Sequence, residues 1–273
     1  MTDAMTPIQQ QVAEQVLAEE LGKRETLVVS LSGAHAYGFA SVDSDLDLKG
    51  IWIAPTRELL GLRSAPGAVD RQEWIGEVEI DFTVNELGQA VQGLLKGNGN
   101  MLERVFDRRA LHAGLGLDEL REHTRAALSR RAYHHYRGFA HSQRKAVDLQ
   151  APVAKKLLYV LRTALTGVHL LEQGEVVADL SALWERYGFT EVPTLITLKR
   201  EAEKGLLPAE DWTAARVEAL MERAFARIDQ ARDASPLPEH PSEEAAAALE
   251  DWLIQRRLSQ VSSAAEALVK EPQ

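Results

Sequence analysis

The run from Leu31 to Ile53 constrains the fold of this chain most, because apolar and polar residues alternate along its second half. Successive side chains of a β-strand point to opposite faces, so residues two apart share a face. Asp45 and Asp47 therefore lie on one face of a strand. Leu46 and Leu48 lie on the other. The pattern predicts a strand whose apolar face packs in a core while its two carboxylates face outward.

Two carboxylates on neighbouring positions of one face repel each other, and a hard cation relieves that repulsion. Mg²⁺ takes oxygen ligands and is usually held by one or two carboxylates together with substrate phosphates. Two such ions about 3.5–4 Å apart clamp the attacking and leaving oxygens of an in-line displacement. We interpret Asp45 and Asp47 as ligands of Mg²⁺, or of Mn²⁺, that bind a nucleoside triphosphate (NTP) for nucleotidyl transfer. A solvated turn after Ser44 is the alternative, since aspartate is common in turns.

A third carboxylate is expected in the strand-like run from Glu77 to Phe82, where acids and apolar residues alternate. Asp81 and Glu79 share one face of this run. Spacing alone does not decide between them. We favour Asp81 as the third metal ligand because its side chain is shorter and stiffer, and keep Glu79 in reserve. An exposed strand residue without a ligand is the alternative for Asp81.

A glycine turn precedes the acid pair. The apolar run 27–31 is typical of a buried strand and leads directly into Ser32 and Gly33. Glycine adopts a positive φ without a steric penalty, and consecutive N–H groups in such a turn form an anion-binding nest. We predict that Ser32, Gly33 and Ala34 contact the triphosphate. A simple tight turn is the alternative for Gly33.

Two larger side chains follow in the same loop. His35 can orient a phosphate or a base, or it can bond only to the turn backbone and serve structure alone. Tyr37 can stack on a base or fill space against the sheet. Both are therefore candidate nucleotide contacts with a structural alternative.

These residues resemble the nucleotidyltransferase superfamily that includes DNA polymerase beta, whose signature is a strand, a glycine turn and an acid-x-acid pair. The longer form here resembles one branch in particular, the predicted nucleotidyltransferases associated with RNA repair, abbreviated RlaP. The resemblance covers about residues 25 to 175 and is carried by the stretches 33–38, 43–50, 94–103 and 155–162.

The resemblance implies an α+β fold, in which a small mixed-sheet palm of the polymerase beta type precedes a largely helical C-terminal region. It also implies Mg²⁺ dependence and transfer of a nucleoside monophosphate to an acceptor hydroxyl. Two positions depart from the family pattern. Ala34 stands where the family usually has serine, and Gly99 stands where proline usually separates Asn98 from Asn100. Neither departure touches the carboxylates.

Periodicity and breaker residues predict the domain organisation. Residues 1–110 form the palm, 111–234 form a helical domain, and 235–273 form a proline-rich connector with a last helix. The chain of 273 residues is 45% hydrophobic, which is enough for a sizeable core. It contains no cysteine, which excludes a disulfide framework, a thiolate metal site and a cysteine nucleophile. Without a long apolar run or a leader pattern at Met1–Gln11, we expect a cytoplasmic protein with no membrane contact.

The charge pattern does not decide which molecule accepts the nucleotide. A net charge of −10 argues against a general nucleic-acid binder, yet basic residues are concentrated between Arg121 and Arg162 with aromatic residues among them. Lys155 and Arg162 lie on one helix face seven residues apart, beside Lys156, and are candidates to reach triphosphate oxygens or to form a solvated face. An RNA 3′ end is the expected acceptor. A small molecule such as an aminoglycoside, a protein hydroxyl, and a non-catalytic nucleotide-binding regulator are the alternatives.

Overall fold

The computed structural model describes residues 5–62, 65–202 and 205–270, and within these residues five strands form one mixed sheet. The strands are β1 (Thr26–Leu31), β2 (Leu46–Trp52), β3 (Ala68–Ile75), β4 (Val78–Glu86) and β5 (His112–Ala113). Their order across the sheet is β3-β4-β2-β1-β5. The β2 and β4 strands run parallel to each other, and the other neighbours are antiparallel.

Alternation along β2 and β4 explains how the sheet is anchored. Leu46 and Leu48 are fully buried, and Asp47 and Lys49 lie half-buried on the opposite face. Gly50 interrupts this pattern for a steric reason, because a Cβ there would lie 2.2 Å from the Val28 carbonyl oxygen of β1. The central strands can therefore approach closely only with glycine at this position.

Helices surround the sheet and make up most of the C-terminal half. They are α1 (Pro7–Leu21), α2 (Gly33–Ala36), α3 (Thr56–Leu60), α4 (Leu87–Leu95), α5 (Gly99–Phe106), α6 (Leu117–Ala126), α7 (Ala132–Arg144), α8 (Ala154–Gln173), α9 (Val192–Glu201), α10 (Ala214–Ala234) and α11 (Glu243–Lys270). No helix in the described ranges is both long and apolar enough to cross a membrane. The predicted α+β class, a mixed sheet followed by a largely helical region, is confirmed.

The long helix α8 is the centre of the helical region and packs against α7, α9 and α10. The last helix, α11, returns to the sheet side of the molecule and contacts α3, α4 and α6. Arg257 of α11 forms an ion pair with Glu86 of β4 at 2.6 Å, and the Thr56 hydroxyl donates to Gln260 at 2.8 Å. The C-terminal helix thus packs on its own chain.

Some local features differ from the predicted elements. The short helix α2 occupies part of the predicted glycine loop, and β5 joins the sheet beyond the predicted palm boundary at residue 110. Between α8 and α9, Leu180–Ala182 form one 3₁₀ turn, and the Asp179 side chain caps its start by accepting from Ser181 N–H. Residues 1–4, 63–64, 203–204 and 271–273 of the predicted domains lie outside the described residues.

A histidine in α7 is expected to make stability depend on pH. Burial, together with the charge of Arg162, lowers the pKa of His135 to about 4. A histidine in the unfolded chain has a pKa of about 6.5, so protons bind the unfolded state preferentially between these values. The free energy of unfolding should be highest above pH 6.5 and should fall as the pH drops toward 4. Urea unfolding of a His135→Gln variant should show a flatter pH dependence than the unaltered chain.

The neighbouring residue provides a matched control. His134 lies on the same helix and is exposed. A His134→Gln variant should retain the full pH dependence, since its imidazole is hydrated in both states. An unchanged slope in the His135 variant would contradict the expectation.

Candidate active site

Parallel pairing of β2 and β4 brings two of the predicted acids together. Asp47 and Asp81 are direct partners in the register, as are Leu46 and Ile80 on the buried face. Asp45 immediately precedes β2 and is exposed. Side chains at paired positions of neighbouring strands point to the same face. Asp47 and Asp81 therefore lie side by side on the open face of the sheet.

The environment of Asp47 disfavours its negative charge. The pKa of Asp47 is raised to about 6, chiefly by burial and to a smaller extent by the charges of Asp81 and Asp45, while the charges of Lys49 and Lys155 lower it. Such a carboxylate gains stability when a cation approaches it. The acid pair is thus electrostatically suited to bind positive charge.

Lys49 already provides one positive charge at this site. Its Nζ lies 2.6 Å from Asp81 Oδ1 and donates to the Thr83 hydroxyl at 3.1 Å. Asp81 is thus neutralised by a lysine from the neighbouring strand. Among the described residues, no group of three or more His, Asp or Glu side chains is arranged so that it could hold a metal ion. The assignment of Asp81 as third metal ligand stays a prediction, as does the reserve role of Glu79, which lies opposite Trp74 of β3.

The glycine turn lies directly against Asp47. Gly33 has a φ of +59°, as the sequence predicted, and a Cβ there would lie 1.9 Å from Asp47 Oδ2. The Ser32 N–H donates to the Asp47 carbonyl oxygen at 2.9 Å, and Ser32 Oγ lies 3.3 Å from the Tyr37 hydroxyl. The Ser32 side chain does not cap α2. Glycine at position 33 therefore allows the backbone to contact the carboxylate without a clash.

The remaining loop residues face the interior. His35 is 1% exposed, and its Nε2 lies 3.5 Å from the Ser44 carbonyl oxygen. Ala34 and Tyr37 are also buried, and Tyr37 packs edge-on against Tyr159 of α8. This position favours the structural alternative for His35, whereas Tyr37, although mostly buried, lies in the wall of the cavity that adjoins the acidic face.

Arg162 lies beneath this loop. It is 1% exposed, its Nη1 donates to Glu103 Oε1 at 2.7 Å, and its guanidinium carbon lies 3.5 Å from the centre of the Tyr37 ring. The middle of α8 is buried on all sides, so this enclosed position does not support the predicted contact between Arg162 and triphosphate oxygens. Lys155 lies half-buried near Asp47, and Lys156 is exposed.

Two basic residues of the site were not predicted from the sequence. Lys49 follows Asp47 by two residues, so the strand alternation could have placed it on the acidic face. Arg104 of α5 crosses the same face, where it donates to the Asn85 side chain and, at 3.4 Å, to the Gly50 carbonyl oxygen. Burial lowers the pKa of Arg104 to about 10. No local pattern indicated Arg104, because α5 reaches the sheet only through packing.

A cavity of about 630 Å³ adjoins the acidic face. It lies between α2, α5, α6 and the segment 174–179, and Ser32 and Lys49 belong to its wall. Its basic side chains are Lys49, Arg104, Arg108, Arg109, Arg121 and Arg125. Its acidic side chains are Glu103, Asp107, Glu175 and Asp179.

Part of the basic segment between Arg121 and Arg162 is neutralised in the folded chain, most clearly on α7. Arg137 pairs with Asp229 at 2.9 Å, and Arg144 pairs with Glu222 at 2.6 Å, both acids being on α10. Tyr133 donates to Asp229 as well, and Tyr136 is 1% exposed. On α7, the expected cationic face with interleaved aromatic residues is therefore an ion-paired contact with α10.

Comparisons with known proteins identify the family of the chain. A family model described as RlaP, RNA repair pathway DNA polymerase beta family, matches residues 5–255. An uncharacterized protein of Methanocaldococcus jannaschii is 26% identical over 222 residues, which are 80% of this chain and 89% of the relative. A crystal structure of a nucleotidyltransferase-like protein from Exiguobacterium sibiricum 255-15 is similar over 81% of this chain and 74% of that chain, with 13% identity and a TM-score of 0.33. So low a TM-score does not establish a shared topology, and the assignment therefore rests on the family match alone. The chain belongs to the RNA repair pathway DNA polymerase beta family, and it is a nucleotidyltransferase.

Proposed function

We propose that this nucleotidyltransferase moves a nucleoside monophosphate from an NTP, ATP included, to the hydroxyl of an RNA 3′ end and releases pyrophosphate. One observation carries the proposal: Asp47 and Asp81 are direct partners across parallel strands, with the Gly33 backbone against Asp47. A pair of acids beside a glycine turn suits a triphosphate bound through a cation. The family description, which names an RNA repair pathway, supports RNA as the acceptor.

The ligand chemistry of the residues at the acidic face suits a divalent metal, although the described residues hold no ready-made cluster of three such side chains. Asp45, Asp47 and Asp81 offer carboxylate oxygens, the ligands that Mg²⁺ and Mn²⁺ prefer. The raised pKa of Asp47 reflects burial and repulsion that a cation would relieve. We assign Asp45 and Asp47 as holders of the metal, with Asp81 completing a second ion's shell. When bound, the metal supplies charge neutralisation at the reacting phosphate and lowers the pKa of the acceptor hydroxyl.

The chain's own groups have distinct tasks in the reaction. The backbone at Ser32, Gly33 and Ala34 positions the triphosphate. The acceptor oxygen forms a bond to the α-phosphorus as the bond from that phosphorus to the bridging oxygen breaks, and pyrophosphate leaves. Asp81 accepts the hydroxyl proton. Lys155 and Lys156, at the first turn of α8, offset the charge of the leaving pyrophosphate.

Lys49 should control how readily a metal reaches Asp81. Because its ammonium group already bonds Asp81 and Thr83, a metal must displace it. A Lys49→Met variant without nucleotide should bind Mn²⁺ about tenfold more tightly, a change of about 1.4 kcal/mol. Isothermal titration calorimetry measures this affinity directly and does not depend on turnover.

Two further variants separate displacement from a general change of charge. Thr83→Val removes the bond from Lys49 and the 3.4 Å bond that the Thr83 hydroxyl donates to Asp81, but no charge, and it should strengthen Mn²⁺ binding by a smaller factor. Lys145→Met removes an exposed charge at the end of α7 and should leave the affinity unchanged. Weaker Mn²⁺ binding by the Lys49 variant would show that the lysine does not compete with the metal.

A second candidate acceptor is favoured by a specific observation. The net charge is −10, and the arginines of α7 are paired with acids of α10. A small molecule or a protein hydroxyl needs no extended cationic surface. Nucleotidylation of such an acceptor is therefore the alternative reaction, and a non-catalytic nucleotide-binding regulator is the alternative without chemistry. The cytoplasmic location stays a prediction.

Pyrophosphate release from each of the four common NTPs, with Mg²⁺ and with or without mixed RNA, tests the proposal. Release that requires RNA, with lengthening of the RNA by the labelled nucleotide, is expected. Release that is independent of RNA but requires a small molecule or protein would favour the second candidate. NTP binding without release under all these conditions would favour the regulator.

A further inference from the structure

The cavity beside the acidic face is large enough to hold part of a substrate. Its volume of about 630 Å³ lies within the range of about 300–1,000 Å³ typical of ligand pockets. Ser32 and Lys49 line both this cavity and the acidic face. A ligand in the cavity would thus lie next to the reacting groups proposed above.

Two arginines of the cavity, Arg108 and Arg125, remain available for an anion, whereas two others are already paired with acids. Arg109 pairs with Asp179 at 3.4 Å, and Arg121 pairs with Asp118 at 2.9 Å. Arg108 and Arg125, by contrast, are exposed, and within the described parts of the chain neither has an ion-pair partner. Guanidinium groups present paired N–H donors that match phosphate oxygens.

An aromatic wall lies beside these arginines. The guanidinium carbon of Arg125 is 5.6 Å from the centre of the Phe106 ring, and Phe106 is half-buried in the cavity wall. Val176 and Val177 add apolar surface. Single-stranded RNA is typically bound by aromatic and guanidinium planes that stack on bases, together with cations that contact the backbone.

We propose that this cavity binds the terminal nucleotides of a single-stranded RNA acceptor, with backbone phosphates on Arg108 and Arg125 and a base against Phe106. The inference rests on the proposed function and adds to it the place where the acceptor lies. It assigns RNA binding to the cavity and not to the helices α7 and α10, whose arginines are neutralised by Asp229 and Glu222.

Fluorescence anisotropy with a short labelled single-stranded RNA, in the absence of NTP, tests the assignment. The double variant Arg108→Ala, Arg125→Ala should weaken RNA binding at least about tenfold at low salt. The slope of log affinity against log salt should decrease by about 1.4, since each single-strand phosphate contact contributes about 0.7. Phe106→Leu should weaken binding about fivefold through lost stacking and leave the salt slope unchanged.

The matched control is the double variant Arg137→Ala, Arg144→Ala, which removes the same charge from α7. RNA affinity should then stay within about twofold, since these guanidinium groups are already paired with acids. Circular dichroism checks that all variants fold. An equal loss of affinity in both double variants, or a loss only in the control, would overturn the proposal, as would absence of RNA binding by the unaltered chain.

One competitor and one further affinity measurement separate this inference from other sources of binding. Inorganic phosphate should displace RNA only at high concentration, and the Arg108/Arg125 variant should bind NTP as tightly as the unaltered chain. An equal loss of NTP affinity would make the cavity a nucleotide site and overturn the assignment. Because RNA affinity is measured without NTP, the experiment still decides whether the cavity binds RNA even if the chain transfers no nucleotide to it.

Discussion

An Asp47→Asn variant is expected to lose nucleotidyl transfer by about a thousandfold, which corresponds to about 4 kcal/mol of transition-state stabilisation. Asparagine keeps the shape of the side chain beside Gly33 but removes the charge that would hold a cation. The fold should not suffer, because Leu46 and Leu48 anchor β2 from the other face. Pyrophosphate release measured at saturating RNA and NTP gives the rate.

The same variant should be more stable than the unaltered chain at neutral pH without metal. The pKa of Asp47 is raised from 3.8 to about 6 in the folded chain. A raised carboxyl pKa means that ionisation of Asp47 destabilises the fold. This destabilisation is absent below about pH 3.8, grows between pH 3.8 and 6, and is complete above about pH 6. In urea at pH 7.5, the free energy of unfolding should therefore be higher for the variant than for the unaltered chain, and the difference should vanish near pH 3.8.

Asp43→Asn is the matched control for both measurements. Asp43 is exposed in the loop just before β2, and its substitution changes the net charge equally. Its rate and stability should stay close to those of the unaltered chain. Full activity of the Asp47 variant, or an equal loss in the Asp43 variant, would remove Asp47 from the reaction.

A Glu103→Ala variant is expected to destabilise the chain by about 3–5 kcal/mol. Arg162 is 1% exposed and bonds Glu103 at 2.7 Å, so the substitution leaves a guanidinium charge buried without its carboxylate. The cation stacked on Tyr37 would no longer be held in place, and the loop after Ser32 should loosen. Equilibrium unfolding in urea, followed by circular dichroism, measures the loss.

Two variants define the cause of that loss. Replacing both partners with apolar residues, Glu103→Leu with Arg162→Met, should recover most of the stability because no buried charge remains. Glu222→Ala removes an exposed ion pair with Arg144 and should change stability by at most about 1 kcal/mol. Similar losses in the Glu103 and Glu222 variants would contradict a role for burial.

Much of the sheet and of the acidic face could be predicted because the relevant pattern is local. A period of two residues determines which side of β2 and β4 is buried, and this placed Asp47 and Asp81 on an open face. A glycine between a buried strand and an acid pair indicated the positive φ at Gly33. The short helix α2 was not predicted, since a single turn held by tertiary contacts leaves no periodic signal.

The sequence by itself determined which side chains share a face, through spacing along each strand and helix. Only the tertiary structure decided which charges meet. It paired Lys49 with Asp81 across parallel strands, buried Arg162 in an ion pair with Glu103, and paired the arginines of α7 with acids of α10. Those partners lie far apart in the chain, so no local pattern records them. Opposite charges separated in sequence come together only when burial of apolar surface packs the elements that carry them.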